Sequence, residues 1–574
     1  MTSNSRSLPG ATGRADHPAE QFQSSTADDV DHDEATDRYA AASAIAETLS
    51  STFGPNGLDK LLIDRSGTVI VTNTGSTVLD GLEIDAPTGR VLRTAVETQA
   101  TRVGDGSTTM ALVAGELLTA ASDLIDTGLH PTSVIDGYLT AGQLAVDHVS
   151  SSSTPVSRGE TERLTAVATT AITGRWDADA AEQLAGISLD ALERVGFDPT
   201  RLTLHAYPGG GVTDTEHIDG ILVDADVSST DIGADALGDT DDAPSGLVAP
   251  SVALVDGELS LPDPDTPATV SVTDVDELAA VRNHEQRLSD AIVESVVAAG
   301  ADVVVCQQAI DDEIRAILAR RGVLPVERTR RDEFDAIARA TGAETVANAT
   351  ELSGDALGSA GEIRRRTFGT TPVLTVTGLP HETHASVVLR GGTEHVAKET
   401  RRIVDDCTRN LRQAVDGGGI VPGGGAAWIA TAQHVTDHAT TVDDRSQLAL
   451  TAFADAMEVV PRTLAKNAGV DPLETVSQLR TRHDAGDTDA GVGPSGSVRD
   501  MTTAGVIEPA AVVSGCLTTA VETAVTLLRI DDVLDADGPV PADADSHDHA
   551  HDHGEHHGQS GGHDHGGYPW ALSH

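Results

Sequence analysis

The pattern of apolar positions divides the chain into three parts, and the first part is helical. From Glu34 onward, apolar residues at helix-like spacing predict a helix that ends at the Gly- and Pro-containing cluster 54–57. Two short apolar runs, 60–64 and 68–72, predict a pair of strands joined by a turn. Long helices rich in Ala, Leu and Val then extend to about residue 150, where 150–155 is typical of a linker.

The middle part of the chain has a different pattern, in which strands and helices alternate. Runs rich in β-branched residues at 218–225, 249–255 and 302–306 predict strands, and helical patterns intervene at 285–299 and 311–321. This alternation predicts an α/β domain. After residue 401 the pattern is again that of Ala-rich helices. The two helical ends therefore suit one domain, with the mixed part inserted between them.

Three segments have no pattern of core residues. Residues 1–33 predict a disordered arm, and the Asp-, Gly- and Ala-rich stretch 228–245 predicts a mobile acidic loop. The tail from about residue 535 is of low complexity, and its imidazoles suit Zn²⁺, Ni²⁺ or Cu²⁺. A purely solubilising tail is the alternative. The candidate metal ligands there are His547, His549, His551, His553, His556, His557, His563 and His565.

Charge excludes some partners. The 574 residues carry a formal charge of −52, from 90 acidic and 38 basic side chains, so neither nucleic acid nor an anionic membrane is an expected partner. The lysines are Lys60, Lys398 and Lys466. A polycationic partner would suit such a surface, but acid spread over the whole chain favours adaptation to molar salt.

Cysteine use and hydropathy indicate the compartment. Three cysteines exclude a disulfide framework and suit a reducing cytosol. We expect no apolar run long enough to span a bilayer, and the polar N-terminus does not resemble a signal peptide. These features predict a cytoplasmic protein.

Two glycine clusters are candidates for phosphate binding. Residues 104–109 (Gly-Asp-Gly-Ser-Thr-Thr) lie between two helical patterns, where glycine backbone and a helix start can approach phosphate and Asp105 can hold Mg²⁺. The triplet 423–425 could pack against a base or phosphate. Each cluster alone is more typical of an ordinary turn or a flexible joint, and neither is a Walker A loop.

These clusters occur together with further motifs, in an order and spacing similar to those of the group II chaperonins, the thermosome and its relatives. The resemblance extends over about residues 34–535, in a divergent, haloarchaeal-like form. It rests on 53–60 (FGPNGLDK), 71–79 (VTNTGSTVL), 103–109 (VGDGSTT), 173–174 (TG), 306–312 (CQQAIDD), 390–395 (RGGTEH), 422–426 (PGGGA), 505–509 (GVIEP) and 528–533 (LRIDDV).

The resemblance implies an α+β multidomain chaperonin fold. Its parts would be a mainly helical equatorial domain, a small intermediate domain and an inserted α/β apical domain with a helical lid protrusion at 268–288. In sequence order, the expected boundaries are 1–33 arm, 34–155 equatorial, 156–213 intermediate, 214–385 apical, 386–419 intermediate, 420–535 equatorial and 536–574 tail. Such subunits form two back-to-back rings of about eight, closed cyclic symmetry being the usual way to bury repeated interfaces. The implied partners are other chaperonin subunits and non-native client proteins.

The resemblance also implies a site for ATP and Mg²⁺. Asp105 would hold the Mg²⁺, and Asp406 would activate the attacking water, with Asp405 as the alternative if the register shifts by one. Gly424, Gly425 and Glu508 would contact the nucleoside. The implied ATP-binding residues are Gly54, Pro55, Asn73, Thr74, Gly75, Gly104, Asp105, Gly106, Ser107, Thr108, Thr109, Arg175, Gly424, Gly425 and Glu508.

Three positions depart from the family pattern. Thr74 replaces a family Asp that helps catalysis, Arg175 stands where a nucleotide-sensing loop has Lys, and Trp428 stands where relatives carry an acid. A neutral Thr cannot act as a base. Three hypotheses follow: an ATP-driven folding chaperone in which nucleotide binding and hydrolysis close the lid over a non-native protein, a hydrolysis-impaired structural or regulatory subunit of a mixed ring, and metal binding through the tail.

Overall fold

The computed structural model describes residues 30–531, except 64, 66, 68, 225–245 and 261–274. The arm up to residue 29, the acidic loop 228–245 and the histidine tail therefore lie outside the described residues. The start of the expected lid protrusion, 268–274, lies outside them as well.

The first part of the chain is helical, as its apolar spacing predicts. Its elements are α1 (Val30–Ser50), β1 (Lys60–Ile63), β2 (Val69–Thr72), α2 (Gly75–Asp80), α3 (Pro87–Arg102), α4 (Ser107–Asp126) and α5 (Pro131–Ser152). Strands β1 and β2 form the predicted antiparallel hairpin. Helix α5 extends three residues into the predicted linker, and Thr154 then pairs with Ile420.

The last part of the chain returns to the same helical body. Its elements are β15 (Ile420–Pro422), α12 (Ala426–Ala439), α13 (Ser446–Met457), α14 (Val459–Asn467), α15 (Pro472–Asp484), β16 (Ala490–Val492), β17 (Val498–Asp500), β18 (Ile507–Pro509) and α16 (Ala510–Leu528). Helix α16 packs against α4 and α5. The buried Tyr138 on α5 meets Phe453 on α13 edge-on, with ring centroids 5.8 Å apart, and donates its hydroxyl to the carbonyl of Leu117. The two chain ends thus share one core.

A short helical and sheet layer connects this body to the inserted part. It contains α6 (Thr161–Ile172), α7 (Ala178–Arg194), β3 (Leu202–Pro208), β4 (Glu216–Ile218), β14 (Ala385–Gly391) and α11 (Glu394–Asp416). Strand β14 lies between β3, to which it is parallel, and β4. Leu389 of β14 shares a separate core with Leu164 of α6, Leu192 of α7 and Leu411 of α11.

The inserted part is the α/β unit that the pattern of the middle part predicts. Its elements are β5 (Gly220–Val223), β6 (Gly246–Val248), β7 (Ser251–Val255), α8 (Val275–Ala299), β8 (Val303–Cys306), α9 (Asp312–Arg320), β9 (Leu324–Val326), α10 (Arg331–Thr341), β10 (Thr345–Val346), β11 (Gly358–Ser359), β12 (Glu362–Phe368) and β13 (Thr371–Thr377). The order β10-β7-β8-β9 is parallel, and β5-β13-β12-β6 is antiparallel.

The parallel sheet is buried on both faces. Val303 and Val305 of β8 face one core, and Val304 and Cys306 face the other. A strand covered on both faces needs a continuous apolar run, which is why 302–306 shows no alternation. Helix α8 is a single helix where the sequence predicts two, one within 268–288 and one at 285–299.

Two helices are long and apolar enough to cross a membrane by length and composition. They are α4 and α16, with mean hydropathies of 1.3 and 1.6 over 18 residues. The expectation that no segment meets this measure is therefore wrong. Half of the α4 window and two thirds of the α16 window are buried inside the fold, as is usual for core helices.

Candidate functional site

A cavity of about 560 Å³ opens between the helical body and helix α11. All sixteen residues that the sequence predicts to bind the nucleotide or to act in catalysis line this cavity. They are Gly54, Pro55, Asn73, Thr74, Gly75, Gly104, Asp105, Gly106, Ser107, Thr108, Thr109, Arg175, Asp406, Gly424, Gly425 and Glu508. Segments up to 450 residues apart in the chain thus meet at one place, although their individual roles stay predictions.

Two helices begin at the cavity wall. Gly106 precedes α4 and Gly425 precedes α12; both have a left-handed backbone, with φ of 76° and 81°. Neither position provides a side-chain cap. The first turn of a helix has N–H groups without intrahelical acceptors, and these attract anions.

Glycine is required at both helix starts by packing as well as by φ. A Cβ on Gly106 would lie 2.4 Å from Sγ of Cys516, and one on Gly425 would lie 2.9 Å from Cβ of Pro461. The side of each loop that faces the protein is therefore filled. The backbone on the other side is left accessible from the cavity.

Asp105 is held between the two walls of the cavity. Its Oδ1 accepts the N–H of Gly106 at 2.6 Å, and its Oδ2 accepts Nδ2 of Asn410 at 2.8 Å. Its backbone carbonyl accepts Nε2 of Gln99 at 2.9 Å. The carboxylate is thereby fixed in orientation while still lining the cavity.

Asp406 lines the cavity from helix α11. Burial raises the pKa of its carboxyl to about 7, against the opposing effect of Arg402, which donates to Oδ2 at 2.8 Å. The neighbouring Asp405 instead pairs with Arg409, and its side chain is more exposed, at 42% against 26%. Of the two alternatives, Asp406 is the one that contacts the cavity.

Thr74 and Arg175, two positions expected to depart from the family pattern, contact each other in the cavity. Arg175 donates to Oγ1 of Thr74 at 2.7 Å and to Oδ1 of Asn73 at 2.5 Å. Burial lowers the pKa of Arg175, and the nearby Arg402 adds to the effect. An arginine nevertheless stays protonated, so it brings a positive charge to the cavity.

Glu508 and Trp428 form the wall near the second glycine cluster. Glu508 lies on β18 opposite Val421, and burial, with a smaller contribution from Asp105, raises its pKa to about 7. Trp428 is 3% exposed and lines the cavity with its indole. This part of the wall is therefore apolar.

Sequence reasoning missed three polar residues that helix α11 contributes to the cavity, namely Arg402, Arg409 and Asn410. On an acid- and arginine-rich helix they look like surface residues. One signal could have found two of them, because Arg402, Asp406 and Asn410 are four residues apart and share one stripe of α11. Because Asp406 is a candidate catalytic residue, the residues on the same face of α11 are also expected to face the site.

The donor set suits Mg²⁺ rather than a transition metal. Within the described ranges, no three His, Cys, Asp or Glu side chains come together as a metal group. Mg²⁺ is typically held by one or two carboxylates with waters and substrate phosphates, so Asp105 fits it. The eight tail histidines lie outside the described residues, and metal binding by them stays a prediction.

A helical body made from both chain ends, an inserted α/β unit and a glycine-lined cavity beside the connecting helix together define a chaperonin subunit. Residues 45–537 match the model of the TCP-1/cpn60 chaperonin family. The chain therefore belongs to this family, and its α+β multidomain fold agrees with the sequence expectation.

Curated relatives are thermosome subunits. The chain is 36% identical to thermosome subunit alpha of Halobacterium salinarum over 501 residues, which cover 86% of this chain and 87% of the relative. It is 35% identical to a thermosome subunit of Methanopyrus kandleri, with coverage of 86% and 91%, and 35% identical to thermosome subunit 1 of Haloferax volcanii, with coverage of 86% and 88%. The resemblance to group II chaperonins is thus confirmed.

Proposed function

We propose that this chain is an ATP-hydrolysing chaperonin subunit that binds non-native proteins and encloses them within a double ring. The convergence of all sixteen nominated residues on one cavity is the observation that carries the proposal. ATP with Mg²⁺ supplies the phosphoryl group whose transfer to water drives the cycle.

Each wall of the cavity has its own task in this proposal. The N-termini of α4 and α12 bind phosphate oxygens through backbone N–H groups. Asp105 holds the divalent cation, and Arg175 and Arg402 balance negative charge. Asp406 accepts a proton from water, which requires its ionised form; a pKa of about 7 makes that form available near neutral pH.

Removal of the cation ligand tests the proposal. We expect Asp105→Ala to abolish Mg²⁺-dependent ATP hydrolysis by the assembled protein in molar KCl. Asp126→Ala, an exposed carboxylate on the same helix α4, is the matched control and should hydrolyse ATP at the wild-type rate. Turnover that survives in Asp105→Ala would refute the site assignment.

A second candidate function is favoured by Thr74. Its hydroxyl accepts from Arg175 where a carboxylate would form an ion pair, so the subunit lacks one group that helps catalysis in relatives. In this case the chain is a structural or regulatory member of a mixed ring. The loss of one acid–base group typically costs about 10²–10⁴-fold in rate.

Restoring the carboxylate separates the two candidates. If the second function holds, Thr74→Asp should raise ATP turnover strongly, because Arg175 is already in place to orient the new carboxylate. Thr74→Asn has the same shape without the charge and should give no gain. An equal rate for Thr74→Asp and wild type would exclude an impaired site at this position.

The β1–β2 hairpin supports assembly into rings. Among the described residues, six of the ten exposed large apolar side chains lie on or beside it: Leu58, Leu61, Ile63, Val69, Ile70 and Val71. Exposed apolar clusters mark protein interfaces. We expect Leu61→Lys with Ile63→Lys to lower the sedimentation coefficient of the assembly; Leu473→Lys, exposed elsewhere, is the control.

We further infer that the helical body, the connecting layer and the inserted unit correspond to the domains expected from the resemblance. The equatorial domain would comprise 34–155 and 420–535, the intermediate domain 156–213 and 386–419, and the apical domain 214–385. Separate cores for the connecting layer and the inserted unit support this division. The three free cysteines, all buried, suit a cytoplasmic location.

A further inference from the structure

Asn410 is an uncharged residue in the wall that carries the catalytic candidate. It lies on helix α11, one turn beyond Asp406, and is 1% exposed. Its side chain lines the cavity and donates from Nδ2 to Oδ2 of Asp105 at 2.8 Å. It is thus a direct polar contact between α11 and the carboxylate proposed to hold the cation.

The other half of the carboxamide has no partner. Oδ1 of Asn410 is buried and accepts no hydrogen bond within the described part of the chain. A buried acceptor without a hydrogen-bond donor is unfavourable, and a donor supplied by a bound ligand or its water would remove that cost. Its neighbour Thr408, on the same helix, has its hydroxyl satisfied by the carbonyl of Asp405.

We propose that Asn410 is a positioning residue of the divalent-cation site. Its N–H group fixes the orientation of Asp105, and its free carbonyl oxygen accepts a hydrogen bond from the hydration shell of the cation. Mg²⁺ retains several waters in proteins, and these are hydrogen-bond donors that need acceptors. This inference rests on the proposed function, because it assumes the cation at Asp105.

The arrangement also connects the cation to the catalytic helix. Asp406 and Asn410 are separated by one turn of α11, so a shift of this helix moves both groups together. The cation site is then complete only when α11 lies against the loop 104–106. Cation binding and the placement of Asp406 are coupled through this one amide.

The test measures nucleotide affinity without hydrolysis. The assembled full-length protein is titrated with ADP, once in EDTA and once with saturating Mn²⁺. The Kd ratio, defined as the Kd in EDTA divided by the Kd with Mn²⁺, gives the contribution of the metal to ADP affinity. Loss of a group that supports a metal ligand typically costs about 10–100-fold in metal affinity. We expect Asn410→Leu to lower the Kd ratio by about tenfold or more and to leave the EDTA value unchanged.

A charged variant distinguishes cation support from simple packing. Asn410→Asp has nearly the same shape and places a second anionic oxygen at the site, so it should keep or raise the Kd ratio. Thr408→Val is the matched control on the same helix and should behave as wild type. An equal fall in Asn410→Leu and Asn410→Asp, or no change in Asn410→Leu, would overturn the inference.

Asp105→Asn separates this failure from failure of the proposed function. If Asp105 holds the cation, the Kd ratio of Asp105→Asn collapses to about one, since no metal contribution remains. A collapsed ratio together with an unchanged Asn410→Leu overturns only the role of Asn410. A ratio that Asp105→Asn leaves intact overturns the cation site, and the role of Asn410 with it.

Discussion

The two walls of the cavity are built from different parts of the chain and by different means. The helical body contributes backbone, through the loops around Gly54, Gly106 and Gly425, together with the carboxylate of Asp105. Helix α11 contributes charged and polar side chains on one stripe, namely Arg402, Asp406 and Asn410. The first wall is suited to holding a ligand by shape, and the second to acting on it by charge. Changes in the two walls should therefore have separable effects on binding and turnover.

The largest effect should come from the charged wall. Asp406→Asn removes the proton acceptor, and loss of general base catalysis costs about 10²–10⁴-fold in kcat. The Kd for ADP should stay at its wild-type value, because the backbone wall is intact. Stopped-flow ADP binding and steady-state ATPase assays measure the two quantities.

Asp405→Asn provides the control for this change. It alters the adjacent carboxylate, which pairs with Arg409 and does not line the cavity. Its turnover should match that of the wild type. If Asp405→Asn loses turnover while Asp406→Asn keeps it, the functions of the two residues have to be exchanged.

A smaller effect, on binding, should come from the backbone wall. Gly106→Ala forces a Cβ against Cys516 in a left-handed conformation. Overpacking of this kind costs about 1–3 kcal/mol, which corresponds to roughly 10–100-fold in the Kd for ADP if the loop shifts to relieve it. Isothermal titration with ADP measures this loss, and thermal unfolding reports the part that affects stability.

Gly128→Ala isolates the cost of the backbone conformation. Gly128 has φ of 92°, and a Cβ there would meet nothing within 4 Å. Gly128→Ala should lower the melting temperature of the protein slightly and leave its affinity for ADP unchanged. If Gly106→Ala lowers kcat and leaves the Kd for ADP unchanged, the assignment of binding to the backbone wall and of turnover to the charged wall is wrong.

The mildest perturbation is a change of pH. The pKa of Asp406 is raised to about 7 by burial, so its ionised fraction falls as the pH drops below 7. At saturating ATP, kcat should fall about tenfold per pH unit below 7 and level off above it. The raised pKa also means that ionised Asp406 opposes folding, an effect that increases as the pH rises from about 4 to 7.

The pH effect has its own internal test. In Asp406→Asn the residual turnover should no longer show the inflection near pH 7. The pKa of Glu508 is raised to about 7 as well, but its proposed role is to contact the nucleoside, so its titration should affect KM. An inflection near pH 7 that persists in kcat of Asp406→Asn would assign the titration to another group.

Much of the backbone wall is predictable from the sequence. Gly54, Gly106 and Gly425 occur in breaker clusters next to helical patterns, and such clusters predict turns and helix starts without any structure. The hairpin strands β1 and β2 follow from two β-rich runs in the same way. Local chemistry determines these features, and local sequence therefore shows them.

The charged wall is harder to predict. Arg402 and Asn410 contact the cavity only because helix α11 packs its other face, with Val404 and Leu411, into the core of the connecting layer. Helical periodicity identifies that buried face but not what lies opposite the polar one. The partner of Arg175 is likewise set by tertiary contact, since Asn73 and Thr74 are about 100 residues away in sequence.

Helix α11 also has the dimensions of a lever arm. Its 23 residues give a rod about 35 Å long, with Arg402, Asp406 and Asn410 in its middle and strand β14 just before its first residue. A tilt of about 10° about one end displaces the other end of such a rod by about 6 Å. A small reorientation of this helix around a phosphate group would thereby become a larger movement at the end that leads to β14.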